Sequence, residues 1–361
     1  MRADAWKAGT GKECSMEERE FHSKVYWLTF IFSILVIWVH SGNAELFLGP
    51  GAGDGWVGRA ERLLGSGLGQ FAVPGFFAVS AYLFYRGFSM KDLERKWKSR
   101  IRSVLLPYAL WNGLYYAGYV AATRLPAAAA VVGKPPVPLN WEECFRAVFF
   151  YAYNPVFWYL FQLILLTALA PVLYFTLKNV WTGAAAAGLL AVFLGFNKNF
   201  PVLNGDALFY YGFGAFAALH GRKWVEGRLS PARGAVWAVV LAAAFGGIYL
   251  MGRTGGLLYG SALALIFFRL TGVCAFVLAV RLLHLPAAAE FMKNNFFLYA
   301  MHFAWVRLIN KSAALLLPPV PWSALGVFVL MPFVLVVLCT IFARLGRRFC
   351  PGIYGFLSGG R

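Results

Sequence analysis

The chain has 361 residues, of which 60% are hydrophobic and only 13% are charged, whereas soluble globular proteins contain about 45–50% apolar and about 25% charged residues. This composition excludes a soluble enzyme. The five cysteines are too few for a disulfide-built secreted domain, and the aromatic content of 18% excludes a disordered chain. We therefore predict a polytopic membrane protein.

Ten apolar segments are candidate membrane spans, since a spanning helix needs roughly 20 mostly apolar residues. They cover approximately residues 25–42, 69–88, 103–123, 155–177, 180–196, 206–220, 235–251, 260–283, 294–316 and 322–345. The predicted fold is an all-α bundle of about ten transmembrane helices. Residues 24–345 form the predicted membrane domain, between an N-terminal tail at 1–23 and a C-terminal tail at 346–361.

The basic residues predict which way the bundle faces. The net charge is +18, and most of the 33 Lys and Arg residues fall in the tails and loops on the same side as the N-terminus. The positive-inside rule then places both tails in the cytoplasm, in a multi-pass protein of the cell membrane. The basic loops of such a protein face anionic membrane lipids, so the charge does not indicate a nucleic-acid partner.

Polar residues within the first span lie on one helical face. Thr29, Ser33 and His40 are spaced four and seven positions apart, which brings them to the same side of a helix. About 24 Å of helix separates His40 from Lys24, which puts the imidazole in the outer half of the bilayer. A neutral imidazole there can accept a proton from a hydroxyl group. The alternative is an interfacial histidine that is hydrogen-bonded to a loop carbonyl.

The ninth span repeats this pattern with Asn295, Tyr299 and His302, which share one stripe at spacings of four and three positions. Its histidine either hydrogen-bonds within the bundle or lines a site. Ionisable groups inside a membrane span are costly and indicate function.

Charged residues near the outer side raise two further hypotheses. Arg269 in the eighth span needs a partner or an aqueous cavity. It serves either an anionic substrate or a carboxylate from an outer loop. Glu45 and Asp54 are the acidic residues that follow His40 most closely, and either could orient its ring.

The connection between the second and third spans is the most basic part of the chain. Its charges crowd around apolar positions, in the order Arg95, Lys96, Lys98, Arg100 and Arg102. This pattern is typical of an amphipathic helix on the inner membrane face, where it can anchor the chain to anionic lipid. The other interpretation is a cradle for a phosphate-rich cytoplasmic ligand such as coenzyme A, because guanidinium groups bind phosphate through paired hydrogen bonds.

Several segments, in order along the chain, resemble the acyltransferase-3 family of integral membrane O-acyltransferases. They read WLTFIFSILVIWVHS, VPGFFAVSAYLFYRG, RKWKSRIRSVLLPYALW, NPVFWYLFQLILLTALAPVLY, NNFFLYAMHFAWV and FCPGIYGFLSGGR. The first resembles the family's first span, which ends in a signature histidine, and the fifth resembles its Tyr-x-x-His span.

The resemblance implies an enzyme that carries an acyl group, usually acetyl, from cytoplasmic acetyl-CoA to a hydroxyl of an extracytoplasmic sugar. By position, His40 becomes the catalytic histidine. Together with the polar pattern above, the expected substrate-binding residues are Arg95, Arg100, Arg102, Arg269, Tyr299 and His302. The sequence contains no CxxC or HExxH motif, and we expect no metal.

The chain departs from the family pattern at two places. Many members carry an arginine eleven residues before the histidine, where this chain has Thr29, and their Ser-Gly at the end of the second span reads Ser80-Ala81 here. In this chain, the role of that arginine is then either filled by another group, such as Arg269, or absent.

Three other functions stay open. The main alternative is a transporter or exporter of a glycan or lipid-linked intermediate, although no internal repeat is evident. A membrane O-acyltransferase of a different class, acting on lipids or proteins, would also use a histidine within the membrane. A non-enzymatic scaffold would leave His40, Arg269 and His302 dispensable.

Overall fold

The computed structural model describes residues 4–227, 229–255 and 262–360 and is all-α, with no strand in these ranges. Its helices are α1 (Asp4–Ser41), α2 (Ala44–Leu48), α3 (Trp56–Arg62), α4 (Ala72–Tyr85), α5 (Leu93–Arg100), α6 (Leu106–Ala122), α7 (Pro126–Val132), α8 (Trp141–Phe150), α9 (Trp158–Ala168), α10 (Ala170–Leu177), α11 (Val180–Gly195), α12 (Gly205–His220), α13 (Arg222–Glu226), α14 (Pro231–Gly255), α15 (Ala262–Leu282), α16 (Asn295–Leu316), α17 (Pro321–Phe349) and α18 (Pro351–Leu357). Two π-helical turns, Leu63–Leu68 and Ile101–Leu105, continue α3 and α5.

The helices support a membrane bundle of several spans. Five helical stretches in the described residues are long and apolar enough to cross a membrane: Glu18–Leu48, Trp56–Tyr85, Pro231–Ile248, Ala262–Leu282 and Pro321–Phe349. Two bent helix pairs, at 141–168 and 170–195, raise the number to seven if each is one span. The predicted number of ten and the inward orientation of both tails stay predictions. Positions 260 and 261 of the predicted eighth span lie outside the described residues.

The predicted fourth span is divided into two helices. Helix α9 ends at Ala168, and α10 begins at Ala170 with a proline in its first turn, Pro171. A proline there has no N–H to continue the helical hydrogen-bond ladder and favours a new start. The sequence pattern predicts one continuous span because both pieces are apolar.

Helix α4 packs closely against two neighbouring helices, α12 and α1. Against α12, a methyl group on Gly214 would lie 2.1 Å from the carbonyl oxygen of Ala78, so only glycine permits this approach. Against α1, a methyl group on Gly75 would lie 2.2 Å from the ring of Phe32. Small residues allow this kind of backbone approach between membrane helices.

One end of the bundle, here named the basic end, gathers His22, Lys96, Arg100, Lys293 and residues 359–360 around one cavity. The predicted amphipathic helix corresponds to α5 and the π-helical turn after it. Trp97 fixes this segment to the bundle, because its indole Nε1–H donates to the carbonyl oxygen of Thr167 at 2.8 Å.

Candidate active site

A cavity of about 520 Å³ opens at the basic end of the bundle. Its polar lining consists of His22, Tyr26, Thr29, Ser80, Lys96, Ser99, Arg100, Ser103, Tyr159, Lys293, Asn295 and Tyr299. Its apolar lining consists of Val25, Phe76, Val79, Leu83, Phe84, Val104, Leu160, Leu163 and Phe296, and Gly359 and Gly360 complete the wall. A concave site with apolar walls and a few convergent polar groups is typical of a small-molecule site.

Two cations of the basic segment, residues 95–102, are hydrogen-bonded to backbone carbonyl groups of α4 at this cavity. The Arg100 guanidinium donates to the carbonyl oxygen of Ser80 at 3.3 Å and lies 5.7 Å from the ring centre of Phe84. The Lys96 ammonium donates to the carbonyl oxygen of Phe84 and lies 5.3 Å from the same ring. Burial, together with the neighbouring Arg100 charge, lowers the pKa of Lys96. Both groups present positive charge to whatever enters the cavity.

The other two arginines predicted to bind substrate in this segment lie outside the cavity lining. Arg95 is exposed and forms an ion pair of 2.7 Å with Asp92. Hydrogen bonds from Arg95 and then from Ser89 lower the pKa of Asp92 to about 2. Arg102 is exposed as well. The structure thus separates Arg100 from Arg95 and Arg102, whose role in substrate binding stays a prediction.

Deeper in the cavity, two hydrogen bonds join four helices in two pairs. The side-chain amide of Asn295 on α16 donates to Oγ1 of Thr29 on α1 at 2.8 Å. The hydroxyls of Ser80 on α4 and Tyr159 on α9 lie 3.0 Å apart. Thr29 therefore holds α1 against α16. The charged side chains that line the same cavity as Thr29 are Lys96, Arg100 and Lys293.

Tyr299 lies one helical turn beyond Asn295 and separates the cavity from the two predicted histidines. Its ring stacks on Phe157 at 5.7 Å with an interplanar angle of 9°, and its hydroxyl donates to the carbonyl oxygen of Val156. The centre of the same ring lies 5.7 Å from the ring centre of His302.

The hydrogen bond of His302 determines its tautomer. Nδ1 lies 2.6 Å from the carbonyl oxygen of Tyr299. Since a carbonyl oxygen only accepts, Nδ1 carries the proton and Nε2 of the neutral ring keeps a lone pair. That Nε2 is buried and has no hydrogen-bond partner among the described residues.

His40 lies beside His302, which the sequence pattern does not predict. The two ring centres are 5.4 Å apart, and the ring of Phe303 meets His40 edge-on at 5.6 Å. Across the ranges that the structure covers, no hydrogen bond to either nitrogen of His40 occurs, so the loop-carbonyl alternative is not observed. The three rings of Tyr299, His302 and His40 thus form a series that begins at the cavity wall.

Two acidic residues after α1, Glu61 and Asp54, contact groups other than His40. The carboxylate of Glu61 accepts from the backbone N–H groups of Asn43 and Ala44, at 2.8 and 3.1 Å, and so caps the chain that leaves α1. Asp54 lies 3.8 Å from Arg62. The suggestion that Asp54 or Glu45 orients His40 therefore stays without structural support.

Arg269 has a carboxylate partner. Its guanidinium forms an ion pair of 3.0 Å with Asp206 and a hydrogen bond of 3.4 Å with Gln70. Of the two interpretations given above, this contact matches the pairing with an acidic residue. Arg269 is not among the residues that line the cavity with Thr29, and its role in substrate binding stays a prediction.

The comparison with known families decides the class of protein. The family model described as an acyltransferase domain, Acyl_transf_3, matches residues 25–344. The chain belongs to the acyltransferase-3 family. The protein is therefore a membrane-embedded acyltransferase, as the segment resemblance predicts.

A curated relative of this acyltransferase is the succinoglycan biosynthesis protein ExoH of Rhizobium meliloti (strain 1021). It is 24% identical over 314 residues, which cover 82% of this chain and 81% of the relative. No solved structure matches the acyltransferase. Within the described residues, no group of three or more His, Cys, Asp or Glu side chains is placed to hold a metal ion.

Several residues that line the cavity are not indicated by the sequence. Lys293 and Tyr159 have no distinctive sequence pattern, since a loop lysine and a tyrosine in an apolar span are common. Lys96 is one of five crowded cations, and the sequence does not distinguish it from the others. Gly359 and Gly360 line the wall because the chain folds back, which no local pattern indicates.

Proposed function

We propose that the protein is an O-acyltransferase of the cell membrane that moves an acetyl group from cytoplasmic acetyl-CoA to a hydroxyl of an extracytoplasmic polysaccharide. The observation that carries this proposal is the cationic cavity whose wall leads, through Tyr299 and His302, to His40. The relative's name, which refers to succinoglycan biosynthesis, supports a glycan as acceptor.

The cavity suits the two chemically different parts of acetyl-CoA. Lys96 and Arg100 stand at the basic end, where they would bind the phosphate groups, and Lys293 lies beside them in an ion pair with Glu290. Apolar side chains such as Val25 and Phe296 line the remainder, where the pantetheine arm would lie. With the basic end in the cytoplasm, the thioester would point toward the outer half of the bundle.

The imidazole of His40 is the group that would activate the acceptor. In a direct transfer, His40 takes the proton of the sugar hydroxyl while the hydroxyl oxygen forms a bond to the thioester carbonyl carbon. The carbon–sulfur bond then breaks, and the thiolate of coenzyme A takes the proton from the imidazolium. In a two-step route, a ring nitrogen of His40 bonds to the carbonyl carbon, the carbon–sulfur bond breaks, and the coenzyme A thiolate takes the other ring proton. The sugar hydroxyl then attacks the acetyl carbon, the carbon–nitrogen bond breaks, and the ring takes the hydroxyl proton.

A second cavity, of about 440 Å³, lies at the other end of α1 and offers an entrance for the acceptor. Trp38, Asn43, Glu45, Glu61 and Arg62 are among its lining residues. Carboxylates, an amide and an indole can hydrogen-bond and pack against a hydroxyl-rich sugar ring. The last turn of α1, which ends at this cavity, also carries His40.

Calorimetry with purified protein in detergent tests the donor site. Arg100→Ala should weaken acetyl-CoA binding by about tenfold or more, because charge-assisted hydrogen bonds contribute about 1.5–3 kcal/mol. Lys98→Ala is the matched control, since it removes an equally charged, exposed side chain two positions away that does not line the cavity. We expect the control to bind within about twofold of wild type.

The outcomes separate the hypotheses. Absence of acetyl-CoA binding to folded wild-type protein would contradict the proposal and favour a transporter or a different acyl donor. Equal weakening by both substitutions would show that the basic segment attracts the donor by general charge, without the specific site described here.

A further inference from the structure

The C-terminal residues of the described chain fold back into the basic end. After α18, the carbonyl oxygen of Leu357 accepts a hydrogen bond of 2.9 Å from the indole Nε1–H of Trp111 on α6. Ser358 is buried, with 3% of its surface exposed. The tail is thus fixed to the bundle immediately before Gly359 and Gly360.

These two glycines have a backbone conformation that other residues rarely adopt. Their φ values are +72° and +71°, in the left-handed region that glycine enters without steric cost. Gly359 also approaches the π-helical turn after α5, since a methyl group on it would lie 2.7 Å from the carbonyl oxygen of Ser103. Contact with a backbone atom cannot be relieved by a side-chain rotation.

Both glycines line the same cavity as Lys96 and Arg100. Their N–H groups are already used, because Gly359 donates to the carbonyl oxygen of Phe356 at 3.2 Å and Gly360 donates to that of Gly355 at 2.7 Å. The tail therefore contributes shape to the cavity wall, and the cations that line the same cavity contribute charge.

We propose that the C-terminal tail is a wall of the acyl-donor site, and that Gly359 must be glycine for this wall to seat against Ser103. The wall stands at the basic end, beside the groups that would bind the phosphates. It would therefore enclose the nucleotide end of the donor, and the acyl group would lie farther in. This inference rests on the proposed function.

The test compares two glycines that share the left-handed conformation. Gly359→Ala adds a methyl group against Ser103, whereas Gly87→Ala adds one at φ +62° with no atom within 4 Å and outside the cavity lining. Both substitutions place alanine in a left-handed backbone conformation. The difference in ligand affinity between the two variants therefore reports the contact of the tail with Ser103.

Calorimetry with acetyl-CoA and with coenzyme A is the measurement. Gly359→Ala should weaken both ligands by the same factor, about tenfold, while Gly87→Ala binds as wild type does. Wild-type affinity in Gly359→Ala, or a loss confined to acetyl-CoA, would overturn the proposal. If wild-type protein binds neither ligand, the proposed function fails and this inference fails with it.

The gel-filtration profile and the melting temperature of each variant in detergent establish that it is folded. Should Gly359→Ala fail to fold, a chain truncated after Leu357 keeps the contact with Trp111 and removes the glycine wall. That truncated protein should be folded and should bind coenzyme A at least about tenfold more weakly than wild type. Unchanged affinity in the truncated chain would refute the role of the tail.

Discussion

At the scale of single residues, His302 connects the cavity wall to the predicted catalytic histidine. The Tyr299 carbonyl oxygen fixes the proton on Nδ1, so Nε2 stays a buried acceptor without a partner in the described chain. Such an unmet group costs about 1–3 kcal/mol. A residue that served packing alone would gain stability from an apolar ring, and this favours a chemical role for His302 beside His40.

Replacing His302 with phenylalanine tests that role. The substitution keeps a ring of similar shape and removes both nitrogens, so we expect transfer to fall by about 100-fold or more, the typical effect of losing acid–base assistance. Acetyl-CoA affinity should stay near wild type, since His302 is not among the residues that line the cavity. Transfer is measured with radiolabelled acetyl-CoA, and affinity by calorimetry.

The control for this variant is His220→Phe. His220 also has a ring nitrogen 2.7 Å from a backbone carbonyl, that of Leu177, and it is not a cavity-lining residue. The control should keep most of the activity. Equal transfer rates in His302→Phe and wild type would show that His302 is only structural.

At the scale of elements, the position of α4 depends on close contact with its neighbours. Gly214→Ala would force α12 away from the Ala78 carbonyl oxygen, whereas Gly212 on the same helix has open space where a methyl group would lie. We expect Gly214→Ala to destabilise the fold by about 1–3 kcal/mol. Gly212→Ala should leave stability unchanged or slightly raised, because alanine favours helices.

Thermal melting in detergent measures both variants. A lower melting temperature for Gly214→Ala alone is the expected result. Matching melting temperatures for the two variants would mean that α4 and α12 can separate without cost, and the placement of Ser80 and Arg100 would then lack its structural basis.

An ion network joins α1, α4 and α13 at the basic end. Arg86 donates to Glu18 at 2.7 Å and to Glu226 at 2.7 Å, and the hydroxyl of Tyr82 also donates to Glu226 at 2.7 Å. Burial opposes ionisation of Glu226, but the hydrogen bonds from Arg86, Tyr82 and Arg222 outweigh it and lower its pKa from 4.5 to about 2. The carboxylate therefore stabilises the folded state.

The sign of the pH dependence follows from this lowered pKa. The stabilisation by Glu226 is fully present above its ordinary value of 4.5 and is lost as the pH falls toward about 2. Between pH 5 and pH 3, the melting temperature of wild-type protein should fall more steeply than that of Glu226→Gln, since the variant has no proton to take up there. Parallel melting curves would contradict this role.

At the scale of the whole molecule, the sequence predicts composition-driven features well. The apolar segments, the basic amphipathic segment and the stripes that carry His40 and His302 follow from hydropathy and helical spacing, and the family assignment confirms the acyltransferase. Spacing identifies the face of a helix and cannot identify its neighbour. The pairing of the two histidines therefore needed the structure.

The same limit explains the differences within the basic segment. Arg95, Arg100 and Arg102 look equivalent in sequence, and only the packing of α5 against α4 and α9 places Arg100 alone of the three in the cavity lining. Arg269 likewise looks available until α12 brings Asp206 to it.

The inward orientation of the tails can be tested by cysteine labelling. In a chain whose native cysteines are replaced by serine, Lys98→Cys on α5 should react with a membrane-impermeant maleimide only after the cells are opened. Lys198→Cys, in the exposed loop after α11, should react in intact cells. The reverse pattern would place the cationic cavity outside, away from cytoplasmic acyl-CoA.

Catalysis by His40 is the central claim, and one comparison tests it most directly. Detergent-solubilised protein, in which both ends of the bundle are accessible, receives radiolabelled acetyl-CoA and de-esterified succinoglycan, the glycan named by the relative. We predict that His40→Ala binds acetyl-CoA with wild-type affinity but transfers no label above background, while His284→Ala, at an exposed histidine, transfers normally. Transfer by His40→Ala at the wild-type rate would contradict the account.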